Sequence, residues 1–501
     1  MQYQHKTTPF KHQVVAFELS RDREEFALFC EQGTGKSKIV LDTAAWLYAR
    51  GEIDALLVIA PNGVQRNWIV NELPTHLPDH CHAVAAYWTS APRKAERQAL
   101  DALWNPKRQG LRVLAMNVEA FSTERSKTYS KKFLHAFRCL MVVDESSRIK
   151  NNNPRTKALI AAGKLSPYRR ILTGTPVTQS PLDAYTQFKF LDENILGFSS
   201  QYAFKNRYAE MLPAHHPLVR HISRGSRFTP QLIATNPDGT KRYQNLDELK
   251  AKMSPHSFRV TKVECLDLPP KVYERRYVEL TSDQRRLYEK LKKDFVAEFG
   301  GGQINAALAM TRMMRLQQIT GGFAPVLDEV GNTIATHPVG KTNPKIDALL
   351  ELLEETEGKV IIWARFRKEL ELIANALRKE FGAKSVVEYH GKVSNADRQA
   401  AVDGFQSPDA QSPRFFVGQQ HSGGIGLTLT AAATVIYFSN DFSLETRLQS
   451  EDRAHRIGQQ KSVTYIDIEA VDTLDRKVID ALRSKKDMAD VITGDDPRQW
   501  L

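Results

Sequence analysis

One short stretch restricts this chain more than any other: an apolar pentapeptide that runs straight into a glycine-rich turn and then into a helix-forming segment. Phe26-Ala27-Leu28-Phe29-Cys30 reads as a buried strand, Glu31-Gln32-Gly33-Thr34-Gly35-Lys36-Ser37 as the turn, and Ile39 to Tyr48 as a helix with apolar periodicity. That order is the one a phosphate-binding loop requires. Gly33 and Gly35, with Thr34 between them, let the backbone curl so that successive amides face a phosphate, and the positive end of the following helix adds to the attraction. Lys36 is placed to reach the β and γ phosphates of a nucleotide, and the Ser37 hydroxyl to ligate magnesium. The full loop pattern has glycine at position 30, where this chain has Cys30.

Nucleotide chemistry needs a carboxylate at the same place. The apolar run Leu140-Met141-Val142-Val143 ends in Asp144-Glu145, and the C-terminal edge of a parallel sheet is where ligands bind. Asp144 then holds magnesium through water, and Glu145 orients and deprotonates the attacking water. An Asp-Glu pair after a strand is by itself an ordinary helix start; a phosphate loop upstream gives it the catalytic reading.

Short β-rich runs alternate with helical patterns in two separate stretches, the signature of parallel sheets wrapped by helices. In the first, strands are expected at Phe26–Cys30, Ala55–Ala60, Val113–Asn117, Cys139–Val143 and Arg170–Thr173. In the second they are expected at Val360–Trp363, Val386–Tyr389, Phe415–Gly418, Thr434–Phe438 and Val463–Ile468. Between them the pattern turns helical, as in Asp283–Phe299 and Gln303–Ile319, with a hairpin turn signalled at Asn236-Pro237-Asp238-Gly239. The expected fold is α/β, with two parallel-sheet lobes and helical insertions between them. Residues 1–185 form lobe 1, 186–265 its helical and hairpin insertion, 266–342 an insertion or brace of lobe 2, and 343–501 lobe 2.

Composition narrows the partners. Lys and Arg number 70 against 58 Asp and Glu, a net charge of +12, which suits either a solvated basic surface or a polyanion partner. Apolar runs are of strand length, well short of the ~20 residues of a membrane span, so no membrane partner is expected. The four cysteines, Cys30, Cys81, Cys139 and Cys265, are far apart; they make no zinc site, and a reducing, cytoplasmic compartment fits them best.

The next words of the sequence carry a resemblance. Asp144-Glu-Ser-Ser-Arg-Ile-Lys-Asn151 resembles motif II of the Swi/Snf-type ATPases of helicase superfamily two, with Ser147 where that family usually has histidine. Leu172-Thr-Gly-Thr-Pro176 resembles its motif III, Gly423-Gly-Ile-Gly-Leu-Thr428 its motif V, and Gln449-Ser-Glu-Asp-Arg-Ala-His-Arg-Ile-Gly-Gln459 its motif VI. Ile59-Ala-Pro-Asn62 with Trp68 resembles motif Ia, and Phe442 stands where the family often has tryptophan. The resemblance extends from Gln13 to about Leu482 and is closest to a minimal phage or bacterial member.

What the resemblance implies is specific. Two RecA-like lobes face each other with ATP in the cleft between them, and since the sequence offers no zinc-ligand spacing, magnesium is expected as the only metal. Gln13 reads the adenine edge, Gly426 joins the nucleotide contacts, and Arg453 and Arg456 act as arginine fingers, a role that a planar guanidinium fills better than lysine. On a helix from Glu445, spacings of four and three place Gln449, Arg453 and Arg456 on one face. Arg66, Asn67, Thr175, Gly424 and Thr428 are candidate nucleic-acid contacts to the backbone rather than to bases.

The expected activity is a DNA-stimulated ATPase that translocates on double-stranded DNA without sequence specificity, as a monomer, in the cytoplasm of a bacterial or phage-infected cell. Single-stranded DNA and RNA fit less well as partners, and the nucleus less well as a location. Two alternatives stay open: a helicase that unwinds or anneals branched or RNA-containing duplexes, and a non-catalytic DNA-binding scaffold with a decayed motor.

Overall fold

The computed structural model describes residues 3–62, 64–174, 176, 180–217, 219–220, 231–236, 241–299, 306–327, 333–393, 395–420, 427–480 and 482. They fall into two compact units that divide between Asp267 and Leu268.

The first unit is built on seven strands: β1 (Glu25–Cys30), β2 (Ala55–Ala60), β3 (Ala83–Tyr87), β4 (Leu111–Asn117), β5 (Cys139–Asp144), β6 (Tyr168–Leu172) and β7 (Ser257–Val260). Their order in the sheet is β3-β4-β2-β5-β6-β1-β7, and every pairing is parallel. A parallel sheet is covered on both faces, which is why β2 is Ala-Leu-Leu-Val-Ile-Ala and wholly buried. Alternate residues feed two cores. Phe29, Leu57, Met141 and Ile171 lie in one, and Leu28, Val58, Val142 and Leu172 in the other.

Register fixes the site. Asp144 pairs with Leu172, and Leu172 pairs with Leu28, so β5, β6 and β1 end together along one edge. The helix Lys36–Ala49 leaves that edge directly after the glycine loop. The helix Lys11–Ser20 is tied to the sheet by a buried arginine: Arg170 donates from Nη1 to the carbonyls of Glu24 and Arg169, and from Nη2 to those of Ser20 and Arg23. Burial pushes the pKa of Arg170 down, and those four carbonyls are what compensate its desolvation.

Between β6 and β7 run the helices Ala184–Leu191, Glu193–Leu196, Gln201–Tyr208 and Leu246–Met253, whose Phe188, Phe204 and Tyr208 join one face's core. An antiparallel bridge pairs Thr235 with Lys241, flanking the expected hairpin turn; residues 237–240 of that turn lie outside the described residues.

The second unit contains β8 (Lys271–Val278), β9 (Phe323–Leu327), β10 (Thr333–Pro338), β11 (Lys359–Ala364), β12 (Val386–Tyr389), β13 (Phe415–Gln419), β14 (Ala432–Tyr437) and β15 (Val463–Ala470). Six of them make a parallel sheet in the order β12-β13-β11-β14-β15-β8, while β9 and β10 pair as an antiparallel ribbon. The helices Ser282–Phe299 and Ala306–Thr320 precede the ribbon; Gln303, where the second was expected to begin, lies outside the described residues. The fold is thus α/β, two RecA-like parallel-sheet lobes with helical segments between their strands.

Five strands escaped the sequence pattern. β3, Ala-Val-Ala-Ala-Tyr, is an edge strand made of weak strand formers, and β7 has only four residues. β8 lies at the sheet edge within a stretch expected to be helical. Its sequence, Lys-Val-Tyr-Glu-Arg-Arg-Tyr-Val, is largely exposed and carries little apolar signal. The ribbon β9–β10 sits in the same stretch.

Candidate active site

The glycine loop takes the conformation that its sequence demands. Gly33 and Gly35 have φ of 82° and 86°, the left-handed region that side chains disfavour. Lys36 folds back over the loop, its Nζ donating to the carbonyls of Cys30 at 2.8 Å and Glu31 at 3.4 Å. An ammonium has three protons, so one remains for an anion in the loop. Thr34 closes the turn by donating its hydroxyl to the Glu31 carbonyl at 2.8 Å. Ser37 sits half-buried in the first turn of the helix. The Cys30 thiol is buried and its pKa is pushed up to about 12; Cys30 contributes its carbonyl to Lys36 and carries no reactive thiolate.

Gln13 is held against this loop from the upstream helix. Its Oε1 accepts the Phe10 amide at 3.0 Å, and its Nε2 donates to the Thr34 carbonyl at 3.0 Å. His12, one residue earlier, places Nε2 2.8 Å from the same carbonyl. A carbonyl only accepts, so His12 donates there. His12 was not singled out in the sequence, because a lone histidine on a helix carries no signal.

Across the sheet edge, Asp144 is buried at the end of β5. Its Oδ2 accepts the Trp68 indole N–H at 2.8 Å and its Oδ1 accepts the Glu145 amide at 3.0 Å. Burial pushes the Asp144 carboxyl upward, opposed by the Trp68 hydrogen bond, the Lys36 charge and the Glu145 amide. Glu145 itself has φ of 50°, a left-handed conformation costing about 1–2 kcal/mol for a residue with a side chain. Non-glycine residues keep such angles where surrounding structure imposes them, and such positions cluster at functional sites. Gly174, from the loop after β6, packs against the glycine loop: a Cβ there would meet the Gln32 amide nitrogen at 3.0 Å and the Glu31 Cα at 3.2 Å. Lys36, Ser37, Asp144, Glu145 and Gln13 thus belong to one edge of one sheet, with oxygen donors of the hard kind that magnesium takes at Ser37 and Asp144.

In the second unit the expectation of a continuous helix fails. The helix Leu444–Glu451 ends before the two arginines. The turn tightens as the Arg453 and Ala454 amides bond three residues back, to Ser450 and Glu451, and the Arg453 carbonyl is taken by the Leu429 amide at 2.9 Å. Arg453 and Arg456 converge all the same, both donating from Nη1 to the Leu427 carbonyl, at 3.4 and 3.1 Å. Gln449 stays on the helix, donating to Glu445 at 3.2 Å. Arg453 is buried and Arg456 half-buried.

Of the candidate nucleic-acid contacts, Arg66 is exposed on the short helix Val64–Asn67. Asn67 donates to Glu72 at 3.2 Å and accepts from Asn71 at 2.7 Å. Thr428 is half-buried between Leu427 and Leu429. Thr175, Gly424 and Gly426 lie outside the described residues. Among the described residues, no helix is long and apolar enough to cross a membrane.

A glycine loop with its lysine, and an Asp-Glu pair on the same edge of a parallel sheet, define a nucleotide-binding protein of the P-loop class. Residues 10–321 match the SNF2-related domain, and residues 344–458 the helicase conserved C-terminal domain. The chain belongs to the SNF2-related family. It is 26% identical over 462 residues to an uncharacterized ATP-dependent helicase of Mycoplasma genitalium, covering 91% of this chain and 39% of that one. It is 28% identical over 445 residues to a putative ATP-dependent helicase/translocase of Bacillus subtilis, covering 87% and 43%. To the chromodomain-helicase-DNA-binding protein 1-like of Danio rerio it is 25% identical over 472 residues, covering 92% and 41%. The chain therefore spans about two-fifths of the length of these relatives. Among solved structures it is similar to the Sulfolobus solfataricus SWI2/SNF2 ATPase core in complex with dsDNA, at 23% identity and a TM-score of 0.39, covering 98% of this chain and 95% of that one.

Proposed function

We propose that this chain is an ATP-hydrolysing motor that moves along double-stranded DNA, gripping the sugar-phosphate backbone without reading sequence. The observation that carries the proposal is the meeting, on one sheet edge, of the Lys36 loop and the Asp144-Glu145 turn in a chain of the SNF2-related family. In this reading the amides of Gly33 to Ser37 cradle the phosphates, and Lys36 turns its remaining proton to them. Gln13, anchored at both ends of its amide, discriminates the base. Asp144 and Ser37 hold magnesium, which when bound neutralises charge on the transferring phosphoryl group. Glu145 takes the proton from the attacking water. Arg453 and Arg456 stabilise charge on the phosphoryl oxygens, and Gly426 adds to the nucleotide contacts.

The net charge of +12 favours a polyanion partner. Relatives named as a translocase and as a DNA-binding helicase support DNA as that partner. Arg66, Asn67, Thr175, Gly424 and Thr428 are the proposed backbone contacts. A second reading, strand separation, is favoured by relatives named as ATP-dependent helicases.

Displacement of a labelled third strand from a DNA triplex separates the two readings when run beside unwinding of a forked duplex, with Glu145→Gln as the inactive control. The motor reading predicts ATP-dependent triplex displacement with an intact fork. Fork unwinding at comparable rate would favour the helicase, and displacement by Glu145→Gln would remove Glu145 from the chemistry.

A further inference from the structure

The Asp144-Glu145 turn is tied to the loop after β6 by one side chain. Gln187, on the helix Ala184–Leu191, is fully buried and makes three hydrogen bonds. Its Nε2 donates to the Pro176 carbonyl at 2.7 Å and to the Asp183 carbonyl at 2.9 Å, and its Oε1 accepts the Ser146 hydroxyl at 2.7 Å. Two carbonyls can only face the amide nitrogen, so the orientation of the amide is settled by chemistry. Ser146, which must then donate, is the residue immediately after Glu145.

Gly174 and Pro176 therefore border the two halves of the site. On one side Gly174 packs on the Glu31-Gln32 backbone; on the other Pro176 reaches the carboxylate turn through Gln187. The neighbouring Ser147 does not share this connection: it is buried, and its Oγ has no hydrogen-bond partner among the described residues. A buried amide with three partners costs desolvation that an apolar side chain of similar volume would avoid. Such a network, fully satisfied, rigidifies the elements it joins. Glu145 needs that rigidity, because its positive φ must be imposed from outside.

We propose that Gln187 is the positioning residue through which the backbone at Pro176 sets the Glu145 carboxylate, so that nucleic acid engaged beside Gly174 and Pro176 changes the rate of ATP hydrolysis. This rests on the motor reading above. Movement of the Pro176 carbonyl pulls on the Gln187 amide, and through the Ser146 hydroxyl it turns the backbone that carries Glu145.

The test measures ATP turnover with and without duplex DNA, and DNA affinity by fluorescence anisotropy, for the wild type, Gln187→Leu, Ser146→Ala and the double variant. The expected result is a ratio of DNA-stimulated to DNA-free turnover that falls roughly tenfold or more in each single variant, with DNA affinity within about twofold of wild type. The double variant should be no worse than the poorer single one, because both remove the same connection. Ser146→Ala, the smaller change, carries the test if Gln187→Leu does not fold. An unchanged ratio, or DNA-free and DNA-stimulated rates falling by one common factor, would overturn the coupling role and leave Gln187 a plain structural residue. Failure of the parent reading looks different: the wild type itself would turn over ATP at a rate that duplex DNA does not alter.

Discussion

Trp68 donates its indole N–H to the Oδ2 of Asp144 at 2.8 Å, across 76 residues of sequence. Both groups are buried, so neither exchanges this partner for water. The bond fixes the carboxylate rotamer at the end of β5, while the Glu145 amide holds the other oxygen. Each oxygen retains a lone pair for a hydrated cation.

Trp68→Phe keeps an aromatic ring, though a smaller one, and removes the donor. If Asp144 holds magnesium, the magnesium concentration for half-maximal turnover should rise about tenfold or more, the usual cost of losing a partner behind a metal ligand. A magnesium titration of ATP turnover reads this directly, and an unchanged midpoint would mean that Trp68 braces the fold without tuning the site.

Gly35→Ala should abolish turnover. The added methyl would overlap the Gln13 amide, and the φ of 86° is one that alanine resists by about 1–2 kcal/mol. Nucleotide binding measured with a fluorescent ATP analogue should fall with activity. Tight binding in this variant would show that Gln13 and the loop move apart without consequence.

The parts of this molecule that obey local rules were legible in its sequence. The glycine loop, the strands β1, β2 and β5 and the Asp-Glu pair follow from apolar runs and turn residues alone. What stayed hidden depends on tertiary contact. Trp68 reads as a motif landmark, and only the fold brings its N–H to Asp144. Gln187 and His12 lie on helices where nothing local marks a polar residue as buried. Just past the end of the helix at Glu451, the Leu429 amide bonds to the Arg453 carbonyl, a contact invisible to helical spacing. Edge strands β3, β7 and β8 lack the apolar density that a doubly covered strand requires.

Arg170 has a different kind of importance. Replacing it with leucine would take a guanidinium donor from the carbonyls of Ser20, Arg23, Glu24 and Arg169, of which Ser20 and Glu24 each keep a backbone amide. The expected loss is about 1–3 kcal/mol of stability, visible as a lower urea midpoint. A midpoint within error of wild type would show that water replaces the guanidinium there.

Glu369 makes stability in the second unit depend on pH. Its carboxyl is fully buried, accepting from Ser439 Oγ at 2.6 Å and the Phe366 amide at 3.0 Å, and burial pushes its pKa from 4.5 up to about 7, against the opposing charge of Lys345. The folded protein keeps this proton after the unfolded chain has lost it. The favourable contribution is complete below about pH 4.5 and is lost as pH rises to about 7, a change of roughly 3 kcal/mol. Denaturant unfolding across that window should show stability falling with pH in the wild type and a flatter profile in Glu369→Gln. The same slope in both would assign the pH dependence elsewhere.

The most direct test of the motor is ATP turnover at fixed low salt with no nucleic acid, duplex DNA, single-stranded DNA and RNA in parallel, with Lys36→Ala as the blank. The account predicts strong stimulation by duplex DNA, little by the other two, and no turnover in the blank. Turnover indifferent to duplex DNA, or no turnover in any condition, would contradict it.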